Sequence, residues 1–260
     1  TANGRLHFLD YYTRKITVMG KIIENGCAVA LEWYGASLIC LLSDRRLFAL
    51  VDQKQTDAEQ TKVFKLLWEY SCPSDYTHLS LDPFEGNQLL VWGDESFDVL
   101  TVQDNKKPPK VIISRVVIDT NPIRDAQWHL HLRGLIYIVT DQQLILASVD
   151  KSTLFNLYHP SGCVLFMQQL LHDHHRLFLF YKNKTFNEVS IDEQLTITKS
   201  QEFHPSVQSL GSRSVPLSES LFLISNAPEC LSLFDADTNF VRSVCPLKGY
   251  QITCCDSDGS

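Results

Sequence analysis

Six times along this chain a turn-forming asparagine or aspartate is followed, seven to ten residues on, by an aspartate that closes a second apolar run. The turn residues are Asn3, Asp44, Asp94, Asp141, Asn183 and Asn226, and the closing residues are Asp10, Asp52, Asp104, Asp150, Asp192 and Asp235. Successive closing aspartates lie 42, 52, 46, 42 and 43 residues apart. The clearest copy is Leu135-Ile-Tyr-Ile-Val139, a turn at Thr140-Asp-Gln-Gln143, and Leu144-Ile-Leu-Ala-Ser-Val149. Two short runs rich in β-branched residues around four turn-type residues predict a hairpin whose strands can be covered on both faces.

A period of about 40–45 residues with four short strands in each unit is the signature of WD-type blades. The expected fold is therefore all-β, a WD40-like β-propeller with about five complete four-stranded blades and partial blades at both ends. The chain starts on the third strand of a blade at 5–9, with an outer partner at 15–18. The first complete blade takes 28–33, 37–42, 47–51 and 61–70, with a polar insertion at 53–60 that accounts for the one long spacing. The second takes 77–81, 88–92, 96–102 and 111–117. The third takes 125–128 and the hairpin above. The fourth takes 164–170, 177–181 and 186–191, and the fifth takes 206–210, 221–225, 231–234 and 240–247. The segments 61–70 and 163–171 are the ones most easily mistaken for helix. The start inside a blade, and an inner-strand pattern at 251–255 with no continuation, predict a segment of a longer multidomain protein, with 1–260 as one propeller domain or part of one.

Twenty-three basic against thirty acidic residues give a formal charge of −7, which opposes a role tracking nucleic-acid phosphates. No apolar run approaches the roughly 18–20 residues that span a bilayer as a helix, and direct membrane insertion is not expected. The N-terminus has neither the basic nor the apolar region of a secretory signal. The eight cysteines show no C-x-x-C spacing and several sit in apolar runs, as expected of reduced thiols in the cytosol. Asn183-Lys184-Thr185 fits a glycosylation sequon, and is read as a blade turn.

Candidate chemistry is sparse. His172, Asp173, His174 and His175 form the densest set of potential ligands, yet adjacent loop residues converge poorly on one tetrahedral centre. They are expected to form an exposed inter-strand loop, and no metal or cofactor is expected. His129 and His131 are expected on one face of a strand by period-two alternation. Lys106, Lys107 and Lys110 form a small basic patch suited to an acidic partner. With the histidine loop, these lysines are the candidate partner-binding residues. No nucleophile elbow, metalloprotease motif or glycine-rich phosphate loop is present, so no enzyme is expected. The Gly-His and Trp-Asp pairs of regular WD blades are also missing: none of the four tryptophans, Trp33, Trp68, Trp92 and Trp128, precedes an aspartate. The blade-closing aspartates are expected to cap turns instead.

Asn3-Gly-Arg-Leu-His-Phe-Leu-Asp10, the strand ending Leu31-Glu-Trp33, Leu79-Ser-Leu-Asp-Pro-Phe84, the Lys-Pro-Pro loop, the 135–150 hairpin, and Val244-Cys-Pro-Leu247 leading to Ile252-Thr-Cys-Cys255 succeed one another in a telling order. That succession resembles the first propeller of the WD repeat-containing protein eleven family. The resemblance implies a non-enzymatic scaffold, cytoplasmic and peripheral to the trans-Golgi network and endosomal vesicles. It implies protein partners, namely a helical adaptor and tethering factors, and links to cilium formation and Hedgehog signalling. A propeller subunit of a nuclear or ribonucleoprotein complex is the alternative.

Overall fold

The computed structural model describes residues 5–9, 16–21, 27–53, 63–102, 107–116, 121–170, 173, 175–204, 214–218, 220–227, 230–238 and 240–246. Among these, every regular element is a β-strand. The chain divides into two compact units, Thr1–Asp119 and Thr120–Ser260.

In the first unit, β1 (Arg5–Leu9) and β2 (Ile16–Lys21) form an antiparallel pair. Strands β3 (Ala28–Tyr34), β4 (Ser37–Leu42), β5 (Arg46–Gln53) and β6 (Val63–Ser71) form one antiparallel meander. A second comprises β7 (His78–Leu81), β8 (Gln88–Trp92), β9 (Ser96–Thr101) and β10 (Lys110–Val116). Alternation explains why β4 is buried throughout. Ile39 and Leu41 join Leu89, Val91 and Leu100 in a core between the two sheets, while Leu38, Cys40 and Leu42 pack with Phe48 and Leu50 on the opposite face.

The second unit has three four-stranded meanders. The first is β11 (Ile123–Trp128), β12 (Leu135–Thr140), β13 (Leu144–Ser148) and β14 (Thr153–Tyr158). The next is β15 (Val164–Gln169), β16 (Arg176–Tyr181), β17 (Phe186–Ile191) and β18 (Ile197–Phe203). The last is β19 (Ser214–Pro216), β20 (Leu221–Ala227), β21 (Cys230–Asp235) and β22 (Phe240–Pro246). Strand β16 repeats the logic of β4. Leu177, Leu179 and Tyr181 pack towards Tyr137, Val139 and Leu144, and Phe178 and Phe180 pack towards Phe222 and Phe234. In that second core the rings of Phe178 and Phe222 meet edge-on with centroids 4.9 Å apart, as do those of Phe186 and Phe234 at 4.7 Å. Such aromatic pairs add about 0.5–1.5 kcal/mol beyond the area they bury.

Five four-stranded sheets and a two-stranded one follow the expected succession, and the two helix-like segments are strands β6 and β15. Three details differ. The strand paired with β20 is β19, eight residues beyond the start of the expected 206–210, which lies outside the described residues. Asn226 lies within β20, and Asp52 within β5, because those strands run past the expected turn or closing position. The patterns at Asn3, Asp10, Asp104 and 251–255 lie outside the described residues. Two of the closing aspartates do cap turns. Asp192 accepts the amides of Gln194 and Thr196, and Asp235 accepts the Asp237 amide and the Thr238 hydroxyl.

Candidate interaction surface

The expected histidine loop is held by local bonds. Asp173 accepts the backbone N–H of His175 at 2.9 Å, and His175 Nδ1–H donates to the Ile191 carbonyl at 2.9 Å. The first bond shapes the loop and the second closes it against β17, so Asp173 and His175 act as fasteners. His172, His174 and Lys106 lie outside the described residues; Lys107 and Lys110 are exposed. Among the described residues no group of three or more His, Cys, Asp or Glu side chains is placed to hold a metal ion.

His129 and His131 do not share a strand face. Strand β11 ends at Trp128, and the chain turns so that the His129 Nδ1 lone pair accepts the amides of both His131 and Leu132 at 3.1 Å. His129 is 2% exposed, stacked on Tyr137 with centroids 5.1 Å apart. His131 Nε2–H donates to the Leu170 carbonyl at 3.0 Å. The pair is a backbone cap, which alternation alone cannot reveal.

This cap continues into a buried polar seam between β11 and β15. The Asp125 carboxylate accepts the Met167 amide at 3.0 Å and the Gln127 side chain at 2.9 Å. Gln127 also donates to the Met167 carbonyl, at 2.7 Å. Gln169 donates to Gln127 and to the Trp128 carbonyl, and its own oxygen accepts the Leu130 amide. The Asp125–Met167 and Gln127–Gln169 bonds both join residues 42 apart, the spacing of the repeat itself. Gln127 and Gln169, glutamines recurring at blade spacing, are the sequence signal for the seam.

In the first unit a loop is held close against a sheet. The 72–77 loop runs so close to β8 that a Cβ on Gly93 would stand 2.2 Å from the Asp75 carbonyl oxygen. Tyr76 is buried in the core there, its phenol held above its ordinary range first by burial and then by Asp98. Burial, with Asp98 adding to it, pushes the Cys72 thiol up to about 12, and burial alone does the same for Cys40. These thiols behave as small hydrophobes. Cys27, Cys40, Cys72 and Cys163 are free.

Outside these seams the turns carry charge. Arg45 pairs with Asp75, Arg46 with Asp44 and Glu69, Arg124 with Asp141, and Arg176 with Glu188 and Asp237. Large apolar side chains are exposed as well, including Val29, Leu31 and Trp33 on alternate positions of β3 and Leu154 and Phe155 on β14.

No protein-family model matches the sequence, and no curated protein matches it. Solved structures do match the fold. The β-propeller domain of Cps50 (Swd1) from Myceliophteria thermophila superposes with a TM-score of 0.71 at 10% identity, covering 98% of this chain and 83% of that one. This chain has the fold of a WD40-type β-propeller. A chain of a mitotic checkpoint complex gives 0.65 at 12% identity over 90% of this chain and 71% of its own. The WD40 propeller domain of Doa1 gives 0.60 at 10% identity over 87% and 71%. At such identities the likeness concerns architecture, which the five meanders already display, and function has to be argued from the surface.

Proposed function

We propose that this WD40-type chain is a non-enzymatic protein-interaction scaffold acting in vesicle tethering at the trans-Golgi network and endosomes. One observation carries the scaffold reading. Six buried or half-buried polar side chains, Asp125 and Gln127 on β11, Gln169 on β15, and His129, Asp173 and His175 in loops, are engaged in fastening backbone. What remains at the surface is a set of charged turns and apolar side chains on rigid sheets, which is the material of protein interfaces. The trafficking assignment rests on the ordered motifs that resemble those of the WD repeat-containing protein eleven family. From that resemblance come the cytoplasmic, membrane-peripheral location, the helical adaptor and tethering partners, and a contribution to cilium formation and Hedgehog signalling. Lys106, Lys107, Lys110 and the His172, Asp173, His174, His175 loop are the contact candidates.

Affinity capture of the full-length protein from cell lysate, with and without this segment, tests the reading. Recovery of a Golgi tethering factor that is lost on deletion supports it. Recovery of nuclear or ribonucleoprotein factors instead assigns the chain to the competing class of nuclear propeller subunits.

A further inference from the structure

The fourth strand of each four-stranded sheet, β6, β10, β14, β18 or β22, is an edge with a single hydrogen-bonded neighbour. Such an edge offers a row of open backbone N–H and C=O groups to any other strand, and proteins blunt it with charge or proline. Four of the five are blunted: β6 carries Lys65 and Glu69, β10 Lys110, β18 Lys199 and Glu202, and β22 Arg242. Strand β14, Thr153-Leu-Phe-Asn-Leu-Tyr158, has neither charge nor proline. It also leaves Leu154 47% and Phe155 50% exposed, adjacent residues that point to opposite faces of the sheet. The strand is anchored at its far end. The Tyr158 hydroxyl bonds Ser200 at 3.0 Å and accepts from Asn187 at 2.8 Å, and Leu157 packs on the neighbouring core.

We propose that β14 pairs antiparallel with β14 of a second copy of this chain, joining two four-stranded sheets edge to edge across a two-fold axis. The open backbone requires an extended strand as occupant, and the absence of charge favours an uncharged, apolar one. Strand β14 itself meets both conditions. A two-fold axis perpendicular to the sheet keeps side chains on their own face. With Phe155 at the axis, its ring lies opposite its own copy and Leu154 meets Asn156, short of the register shift at Leu157. Cross-strand aromatic and aromatic–aliphatic contacts of this kind stabilise sheet pairs. A basic residue at the middle of an edge, such as Arg242 in β22, approaches its own copy under the same operation, so that edge is unsuited to the seam. Among the described sheets β14 is the one uncharged fourth strand, so the association stops at two copies. A seam this short is smaller than the roughly 800 Å² per partner of a stable interface, so the dimer forms and dissociates with concentration.

Sedimentation velocity of the purified chain from about 1 to about 100 µM brackets the affinity such a seam supports. The expected result is a shift from monomer to dimer, with slowed hydrogen exchange at the amides of 153–158 as concentration rises. Phe155→Lys should remain monomeric with an unchanged circular dichroism spectrum, whereas Lys199→Ala on β18 should dimerise like the parent. If Phe155→Lys does not fold, Thr153→Lys takes its place, and the parent's exchange data stand independently. A parent that is monomeric throughout, protection confined to strands other than β14, assembly beyond two copies, or undiminished dimerisation of a folded lysine variant would each overturn the proposal.

Discussion

The Asp125 carboxylate accepts the backbone N–H of Met167 across the junction of two neighbouring sheets, at 3.0 Å and out of solvent. The bond ties β11 to β15, and the same oxygen holds Gln127 in place to reach the Met167 carbonyl. Asp125→Ala removes a charged acceptor and strands a buried amide, for an expected loss of about 2–3 kcal/mol. Asp125→Asn keeps an acceptor oxygen and should cost less. Midpoints of urea denaturation for the two variants, with an unchanged slope, check the order.

His129 caps two amides that no strand neighbour serves. His129→Ala abandons both and the stacking on Tyr137, with an expected destabilisation of about 2–4 kcal/mol. Hydrogen exchange separates this cap from simple packing. The amides of His131 and Leu132 should lose protection selectively in this variant, while Tyr137→Leu should leave them protected.

The hairpins were legible because their physics is local. Strands such as β4, β12 and β16 are continuous apolar runs between turn residues, and their alternate side chains feed two different cores. The inner strands were harder. Strand β19 is three residues long and includes Pro216, a weak pattern beside the more regular alternation at 206–210. Alternation misplaces the histidines because it assumes a strand continues, and at Trp128 an imidazole lone pair ends it. Asp173 and His175 were recognised as polar loop residues, but their task depends on Ile191, whose carbonyl arrives from another strand. The polar seam had a visible trace in the 42-residue separation of its partners, which only a repeat-aware reading of buried polar residues exposes.

Gly93 is required by a close approach. A methyl group there meets the Asp75 carbonyl oxygen at 2.2 Å, backbone against backbone, so the 72–77 loop must move away from β8. Gly93→Ala should cost about 1–3 kcal/mol, as overpacking in a filled interior does. Thermal unfolding measures it, and a loss of Tyr76 burial should appear as altered tyrosine fluorescence. Gly35→Ala is the comparison: no heavy atom lies within 4 Å of its added Cβ, and only its positive φ of 57° opposes the change.

Stability should fall in acid partly through Asp141. Burial raises its pKa, but the two-point contact with Arg124, at 3.0 and 2.6 Å, together with the Cys163 thiol, outweighs burial and leaves the carboxyl below its ordinary range. A group with a lowered pKa in the folded state contributes its full stabilisation above the unfolded value, near 4, and loses it as pH falls through the folded value. Arg124→Met removes that contribution. The stability difference between parent and variant should therefore be constant near neutrality and shrink below about pH 4. A difference that stays constant below pH 4 would assign the Arg124 effect to packing of its stem.

Lys184 sits at φ 72° in the turn between β16 and β17, and Arg45 sits at φ 68° at the corresponding place between β4 and β5. In both turns the residue's amide donates to the carbonyl three residues back, Tyr181 and Leu42 respectively. An L-residue in this left-handed conformation costs roughly 1–2 kcal/mol that glycine avoids, and glycine returns part of the gain as unfolded-chain entropy. Lys184 is exposed, so its side chain surrenders little on removal. Lys184→Gly should therefore stabilise the chain by about 0.5–1 kcal/mol, whereas Lys184→Ala should leave stability near that of the parent. Arg45→Gly should gain less than Lys184→Gly, because it also gives up the contact with Asp75. Denaturation midpoints of the three variants decide the matter. An Arg45→Gly gain equal to that of Lys184→Gly would show that the exposed ion pair contributes nothing, as many surface pairs do.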